Sequence, residues 1–226
     1  MTGTVVFDLD GTLVDTSADL IAAANACFRA RGLGDLLDPA GDALTAFHGG
    51  RAMLNAGFAR VGGDVLVPPG AVEEDFPRLL DFYAQDIARH SRPYPGVEAA
   101  LDALAAAGWR LTICTNKPEA LAEQLLRLLN LRDRFGGLVG ADTLPVRKPD
   151  PRPYHETVAR AGGEVANSFL VGDTKTDHAT ARAAGVKVAL VGFGPEGRGV
   201  SRLAPDAILA NYDDLPALAR DWLRPA

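Results

Sequence analysis

The alternation of short apolar runs with amphipathic stretches after residue 93 is what most restricts the fold open to this chain. "RLTICT" (110–115), "GLVGA" (137–141), "SFLVGD" (168–173) and "VKVALVGF" (186–193) read as short buried strands. Each follows an amphipathic segment: "GVEAALDALAAAG", "EALAEQLLRLLN", "DPRPYHETVARAG" and "DHATARAAG". Strands separated by helices of that length need crossover connections, which predicts an α/β fold whose parallel sheet is covered on both faces. "TVVFD" (4–8) joins the same sheet by its composition.

Residues 17–91 have a different pattern. "SADLIAAANACFRARG", "GDALTAFHGG", "RAMLNAGFARVGG" and "EEDFPRLLDFYAQDIARH" predict helices without strands, the first with Ser17 as its N-cap and Gly32 as its stop. The expected division is a core from 1–16 and 92–226, with an all-helical cap over 17–91 inserted after the first strand. Hinges are expected near Asp15 to Ser17 and Ser91 to Pro93. "GFGPEGRGVSRLAPD" (192–206) reads as loop, and no repeat or low-complexity tract interrupts the pattern.

Open α/β sheets bind ligands beyond the carboxyl ends of their strands, and four polar groups fall there. Asp8 and Asp10 end the first strand, followed by Gly11 and Thr12. Thr115 and Asn116 end "RLTICTN", Lys148 lies in "RKPDP", and Asp173 and Asp177 come from "VGDTKTDHATARAAG". An Asp carboxylate can attack phosphorus, splitting one displacement into two. A second carboxyl two residues on can protonate the leaving alkoxide and then deprotonate water. Mg²⁺ would remove the repulsion between these acids and a phosphate dianion, because it favours carboxylate and phosphate oxygens. Lys148 adds a point charge, and Thr115 and Asn116 add neutral donors. Only four of the 23 basic residues are lysines (Lys117, Lys148, Lys175, Lys187). Alone, each feature has a plain structural reading: Asp10-Gly11 as a turn, Thr115-Asn116 as a helix cap, "KPDP" as a rigid turn, Asp173 and Asp177 as turn and N-cap. Their joint arrival at strand ends favours a site.

The 226 residues suffice for a full core, and a net charge of −6 argues against nucleic acid or an anionic membrane as partner. Cys27 and Cys114 have no metal-ligand spacing and read as reduced core thiols. Asp8 and Asp10 interrupt any secretory leader and no run reaches membrane-spanning length, so the expected location is the cytoplasm.

With those residues in place, the chain resembles the haloacid dehalogenase-like hydrolase superfamily. "FDLDGTLVDT", "ICTNK", "RKPDP" and "VGDTKTDHATARAAG" look like its four motifs, and residues 17–91 stand where it inserts a helical cap. The resemblance implies a Rossmann-like three-layer core with strand order 5-4-1-2-3. It implies Asp8 as nucleophile, Asp10 as general acid/base, and Mg²⁺ held by the Asp8 carboxylate, the Asp10 carbonyl and the Asp173 carboxylate, with Asp177 acting through water. Thr115 and Asn116 would hold phosphoryl oxygens, and Lys148 would neutralise them and orient Asp8. Asp10 favours phosphoryl transfer over carbon–halogen hydrolysis. The phosphonate-cleaving relatives need a cap lysine, and residues 17–91 contain none.

"FGGLVGADTLPVRKPDPRPY" and the "VGFG" loop look most like bacterial phosphoglycolate phosphatases, although "GFGP" departs from the aromatic-rich loop expected there. The expected function is hydrolysis of a small phosphorylated metabolite, 2-phosphoglycolate first, through an aspartyl-phosphate, by a monomer or homodimer. A sugar phosphomutase, a broad-specificity sugar phosphatase and a non-enzymatic binding domain are the alternatives. In "FHGGRAML" (47–54), Arg51 is expected to pair with a substrate carboxylate, against the plain reading of a surface arginine near a helix start. His48 is a second residue of that loop with either a lining or a solvent-facing role.

Overall fold

Strand β1 (Thr4–Phe7) is buried at all four residues because it has hydrogen-bonded neighbours on both edges and packed layers on both faces. The computed structural model describes residues 2–61 and 67–224. After β1 the chain forms helices α1 (Ser17–Ala30), α2 (Ala43–Ala46), α3 (Gly50–Ala59) and α4 (Ala71–Gln85). It then alternates α5 (Val97–Ala106), β2 (Arg110–Cys114), α6 (Glu119–Leu128), β3 (Gly137–Val139), α7 (Arg152–Arg160), β4 (Ser168–Gly172), α8 (Lys175–Ala184) and β5 (Lys187–Val191). Strand β6 (Ala207–Leu209) and helix α9 (Leu215–Trp222) complete the chain. Two units result, Met1–Asp15 with Pro93–Ala226, and Thr16–Arg92.

The sheet is parallel in the order β3-β2-β1-β4-β5-β6. Counted from the other edge, its strands run 6-5-4-1-2-3, so the expected five are present and a sixth lies beyond β5. That strand is three residues long, lies within the short apolar run "AILA" (207–210), and has Ile208 41% exposed. The register pairs Phe7 with Ile113 on one side and with Val171 on the other. Hence β1, β2 and β4 end level with one another, and the residues after each emerge at one edge of the sheet.

One face of the sheet packs Val6, Cys114, Leu170, Val188 and Leu190 against Tyr154 and Val158 of α7 and Ala181 of α8. Such side chains contribute about 1.5–3 kcal/mol each when fully buried. Polar bonds fix α7 on this surface: Thr157 Oγ1 donates to Ile113 O at 2.7 Å, and Tyr154 and Ser168 hydroxyls meet at 2.7 Å. Elsewhere Phe7 meets Phe135 edge-on at 6.1 Å, and Phe169 meets Trp222 at 5.1 Å. Both cysteines are free and buried, and burial pushes the Cys27 thiol up to about 11 and Cys114 up to about 12. No described helix is long and apolar enough to cross a membrane.

Local expectations differ in three places. Thr16, not Ser17, is the N-cap of α1, and its side chain makes no capping bond. Within "GFGPEGRGVSRLAPD", Gly197–Leu203 forms a 3-10 helix that buries Val200. Helix α4 stops at Gln85 instead of running on to His90. Asp19 holds the segment beyond that stop. Its buried carboxylate accepts from His90 N at 3.0 Å, Ser91 N at 2.8 Å and Ser91 Oγ at 2.7 Å, tying the first turn of α1 to the end of the helical unit. Residues 62 and 63 of "RAMLNAGFARVGG" lie outside the described residues.

Replacing Asp19 by Ala leaves the buried Ser91 N–H without that acceptor, a loss of about 1–3 kcal/mol. Hydrogen exchange should accelerate over residues 16–92 while β1, β2 and β4 keep their protection. Unchanged exchange in the helical unit would contradict this role.

Candidate active site

The loop after β1 turns on Gly11, whose φ of +81° is a conformation open to glycine at little cost. The turn carries Asp8, Asp10 and Thr12 past the strand's end. Asp8 N donates to Val171 O at 2.9 Å, fixing the backbone of the first acid against β4. Lys148 Nζ lies 2.9 Å from Asp8 Oδ1 and donates to Asp177 Oδ1 at 2.6 Å, with the ammonium side chain only 2% exposed. Burial opposes the charge on Lys148, but the Asp177 and Asp8 carboxylates outweigh it and hold the ammonium firmly protonated. Burial lifts Asp8 to about 6, a rise that Lys148 limits.

Asp173 and Asp177 come from the junction of β4 and α8. Asp177 closes a capping box with Thr174: Thr174 N donates to Asp177 Oδ2 at 3.1 Å and Asp177 N donates to Thr174 Oγ1 at 3.3 Å, while Thr174 Oγ1 also donates to Asp177 Oδ2 at 2.6 Å. Thr12 Oγ1 donates to Asp173 Oδ1 at 2.8 Å. Burial, Asp177 and Asp8 raise Asp173 well above the ordinary carboxylate range despite that bond. Gly172 makes the junction possible. A Cβ there would lie 2.4 Å from Asp177 Cβ, so any side chain would drive Asp177 out of place.

From β2, Thr115 N donates to Val139 O at 3.0 Å, and Thr115 Oγ1 accepts from Lys117 N at 3.2 Å. A hydroxyl that accepts one bond still has its own proton to donate. Asn116 Nδ2 donates to Lys148 O at 3.0 Å, linking "ICTNK" to "RKPDP". The core residues singled out from the sequence, Asp8, Asp10, Thr115, Asn116, Lys148, Asp173 and Asp177, are therefore joined by direct contacts or by neighbouring positions in one loop. Arg51 and His48 lie in the helical unit and are exposed. The Arg51 fork donates to both Glu73 oxygens, at 2.7 and 2.8 Å, with its guanidinium 3.7 Å from the centre of the Phe76 ring.

Four features of the site escaped the sequence reading. Lys117 Nζ donates to both Asp10 oxygens, at 2.9 and 3.1 Å; its place in "ICTNK" and the scarcity of lysine were the only signals. Thr12 and Thr174 gave no signal beyond proximity to the motif acids. Tyr94, Phe193 and Tyr212 form an aromatic group, Phe193 meeting Tyr94 edge-on and Tyr212 at a tilt with centroids 5.4 and 5.3 Å apart, and Tyr212 donates to Thr12 O at 2.7 Å. The "GFGP" loop thus supplies one ring to an aromatic group assembled from three distant segments.

The donor chemistry fits a hard divalent cation. Asp8, Asp173 and Asp177 are buried and each offers an oxygen within 4.8 Å of the others. Asp8 Oδ1 is close to Lys148 yet outside hydrogen-bonding alignment with any donor. Carboxylate oxygens without aligned donors are the ligands such ions favour.

Carboxylates gathered with a buried lysine beyond the carboxyl ends of parallel strands define an acid-based hydrolase site on a Rossmann-like core. Residues 5–191 match the haloacid dehalogenase-like hydrolase family, and the chain belongs to it. It is similar to a phosphoglycolate phosphatase of Mesorhizobium japonicum, 40% identical over 98% of this chain and 97% of the relative. It is also similar to one of Caulobacter vibrioides, 39% identical over 94% of this chain and 89% of the relative. The fold aligns with the crystal structure of a predicted phosphoglycolate phosphatase from Haemophilus somnus 129PT at a TM-score of 0.82, 23% identity, and coverage of 96% and 97%. The chain therefore falls on the phosphatase side of its family.

Gly172→Ala should lower kcat by roughly tenfold or more by displacing Asp177 from Lys148, and cost about 1–3 kcal/mol of stability through overpacking. Steady-state kinetics and a urea midpoint test this. Wild-type turnover in a folded G172A protein would show that the close approach has no catalytic consequence.

Proposed function

We propose that this protein is a Mg²⁺-dependent phosphomonoesterase that hydrolyses 2-phosphoglycolate through an aspartyl-phosphate on Asp8. The observation that carries the reading is the Asp8–Lys148–Asp177 contact, which presents a carboxylate beside a buried ammonium. Asp8 attacks phosphorus, the bond to the leaving alkoxide breaks, and Asp10 gives that oxygen a proton. Water then attacks the same phosphorus, Asp10 takes its proton, and the Asp8–phosphorus bond breaks to release orthophosphate and the free carboxylate. Lys148, with Thr115 and Asn116, balances charge on the transferring phosphoryl oxygens. Asp8, Asp173 and the Asp10 carbonyl would hold Mg²⁺, with Asp177 acting through water, and the ion would offset repulsion between the acids and the phosphate dianion.

The substrate assignment draws on the full-length phosphoglycolate phosphatase relatives and on Arg51. A substrate carboxylate would take the place of Glu73 on the Arg51 fork, a bidentate exchange that an ester without a second anion cannot make. Return of the phosphoryl group to a sugar phosphate, as in a mutase, is the alternative reaction on the same core. Sugar-phosphate isomerisation without phosphate release is its signature.

Phosphate release from a panel of phosphorylated metabolites tests the reading. Turnover of 2-phosphoglycolate should disappear with excess EDTA and return with Mg²⁺, and Asp8→Asn should abolish it while leaving the fold intact. Near-wild-type turnover by D8N would overturn the assigned nucleophile. Separately, Arg51→Ala should raise KM for 2-phosphoglycolate about tenfold or more and leave KM for p-nitrophenyl phosphate nearly unchanged. An unchanged KM for 2-phosphoglycolate would remove Arg51 from substrate recognition.

A further inference from the structure

Lys117 is the one buried lysine to which the proposed chemistry gives no task. Its side chain is 3% exposed, whereas that of Asp10, its partner 107 residues earlier, is 20% exposed. The ammonium therefore lies beneath and the carboxyl is the more accessible member, the arrangement expected of a pedestal under a working group. Both Asp10 oxygens are within reach of Nζ, at 2.9 and 3.1 Å. Burying an ammonium is costly unless it is paired, so this pair fixes both side chains at once.

The Lys117 backbone is itself anchored. Its N donates to Thr115 Oγ1 at 3.2 Å, and its O accepts from Ala141 N at 2.9 Å. Gly140 permits that approach, since a Cβ there would lie 2.8 Å from Lys117 O and 2.4 Å from Glu119 N. The lysine consequently starts from a fixed point level with the phosphoryl-binding residues of the β2 loop. The two buried lysines divide the acids between them: Lys148 contacts Asp8 and Asp177, and Lys117 contacts Asp10.

We infer that Lys117 is a positioning residue for the reaction, holding the Asp10 carboxyl oriented for proton transfer while touching no substrate atom. The inference rests on the reading of Asp10 as general acid/base. The double contact suits that task, because a carboxylic acid still accepts at its carbonyl oxygen. One oxygen can remain held by Nζ while the other gives or takes the proton. Without the anchor, Asp10 is free to sample other rotamers, and an error of about 1 Å in a catalytic group can lower a rate about a hundredfold.

Single-turnover kinetics of Lys117→Met with two esters separate positioning from other roles. The alkoxide released from 2-phosphoglycolate, or from whichever alkyl ester the metabolite panel shows to be cleaved, needs a proton. The p-nitrophenolate released from p-nitrophenyl phosphate does not. K117M should slow phosphorylation by the alkyl ester roughly tenfold to a hundredfold. Its rate with p-nitrophenyl phosphate should change by less than about threefold, as should KM for both. Asp10→Asn should show the same leaving-group pattern, and the K117M/D10N double variant should be no slower than D10N alone.

Additive losses in the double variant would overturn the inference, as would equal slowing with both esters accompanied by a raised KM, which marks direct phosphate binding. Reduced stability with unchanged rates would reduce Lys117 to a structural ion pair. If D10N itself shows no leaving-group dependence, the acid/base reading of Asp10 fails and the Lys117 inference fails with it. A leaving-group effect in D10N that is absent from K117M removes the inference alone. Should K117M fail to fold, Lys117→Gln carries the same comparison, with partial retention of the alkyl rate expected from its amide donor.

Discussion

The site depends on one buried ammonium. Lys148 sits between Asp8 and Asp177, and without it three buried carboxylates would face one another within 4.8 Å. Burial alone moves such acids toward their neutral forms, and a neutral Asp8 is a poor nucleophile. Lys148 opposes that rise and so favours the carboxylate form. The ammonium is held in turn: Asn116 bonds the Lys148 carbonyl, and the capping box of α8 fixes Asp177. The charge of the site and its local folding rest on the same set of contacts here.

The sheet sets the geometry that those contacts refine. Parallel pairing of β1 with both β2 and β4 in matching register brings Asp8, Thr115 and Asp173 to one edge. A one-residue slip would turn each side chain to the opposite face, and Val5, Val6 and Phe7, fully buried among packed layers, oppose such a slip. Glycine then removes the steric obstacles. Gly172 admits Asp177 beneath β4 and Gly140 admits the Lys117 carbonyl beside β3, so α8 and the segment leading into α6 approach the strand ends more closely than side chains would permit.

Legibility followed distance along the chain. Asp8, Asp10, Asp173 and Asp177 stand in short contiguous motifs, and Lys148 belongs to a compact turn, so residue type and strand-end position were enough to select them. Five strands were visible as apolar runs; β6 lies in a sixth, "AILA", no shorter than β3, and only the fold shows that it pairs at the sheet's edge. The Lys117–Asp10 pair spans 107 residues and Tyr212–Thr12 spans 200. Asp19 and Ser91, 72 residues apart, likewise gave no local pattern. These are tertiary pairings between residues whose types are common at surfaces, and only the fold shows which are buried together. The helix N-cap at Thr16 instead of Ser17 is a one-residue difference, of the size expected where both residues carry a hydroxyl.

The four acids are chemically alike, and their partners make them unequal. Asp8 has a poorly aligned ammonium and is the acid left with unsatisfied lone pairs. Asp10 is more exposed and is gripped from below by Lys117. Asp173 receives one neutral bond from Thr12, and Asp177 is saturated by Thr174, backbone amides and Lys148. A group already saturated has little capacity to bind or react, so Asp177 is suited to support and Asp8 to chemistry. The lysines still leave the acids in excess, and burial makes that excess unfavourable. A divalent cation would offset that excess, which makes the electrostatic imbalance of the site itself a source of metal affinity.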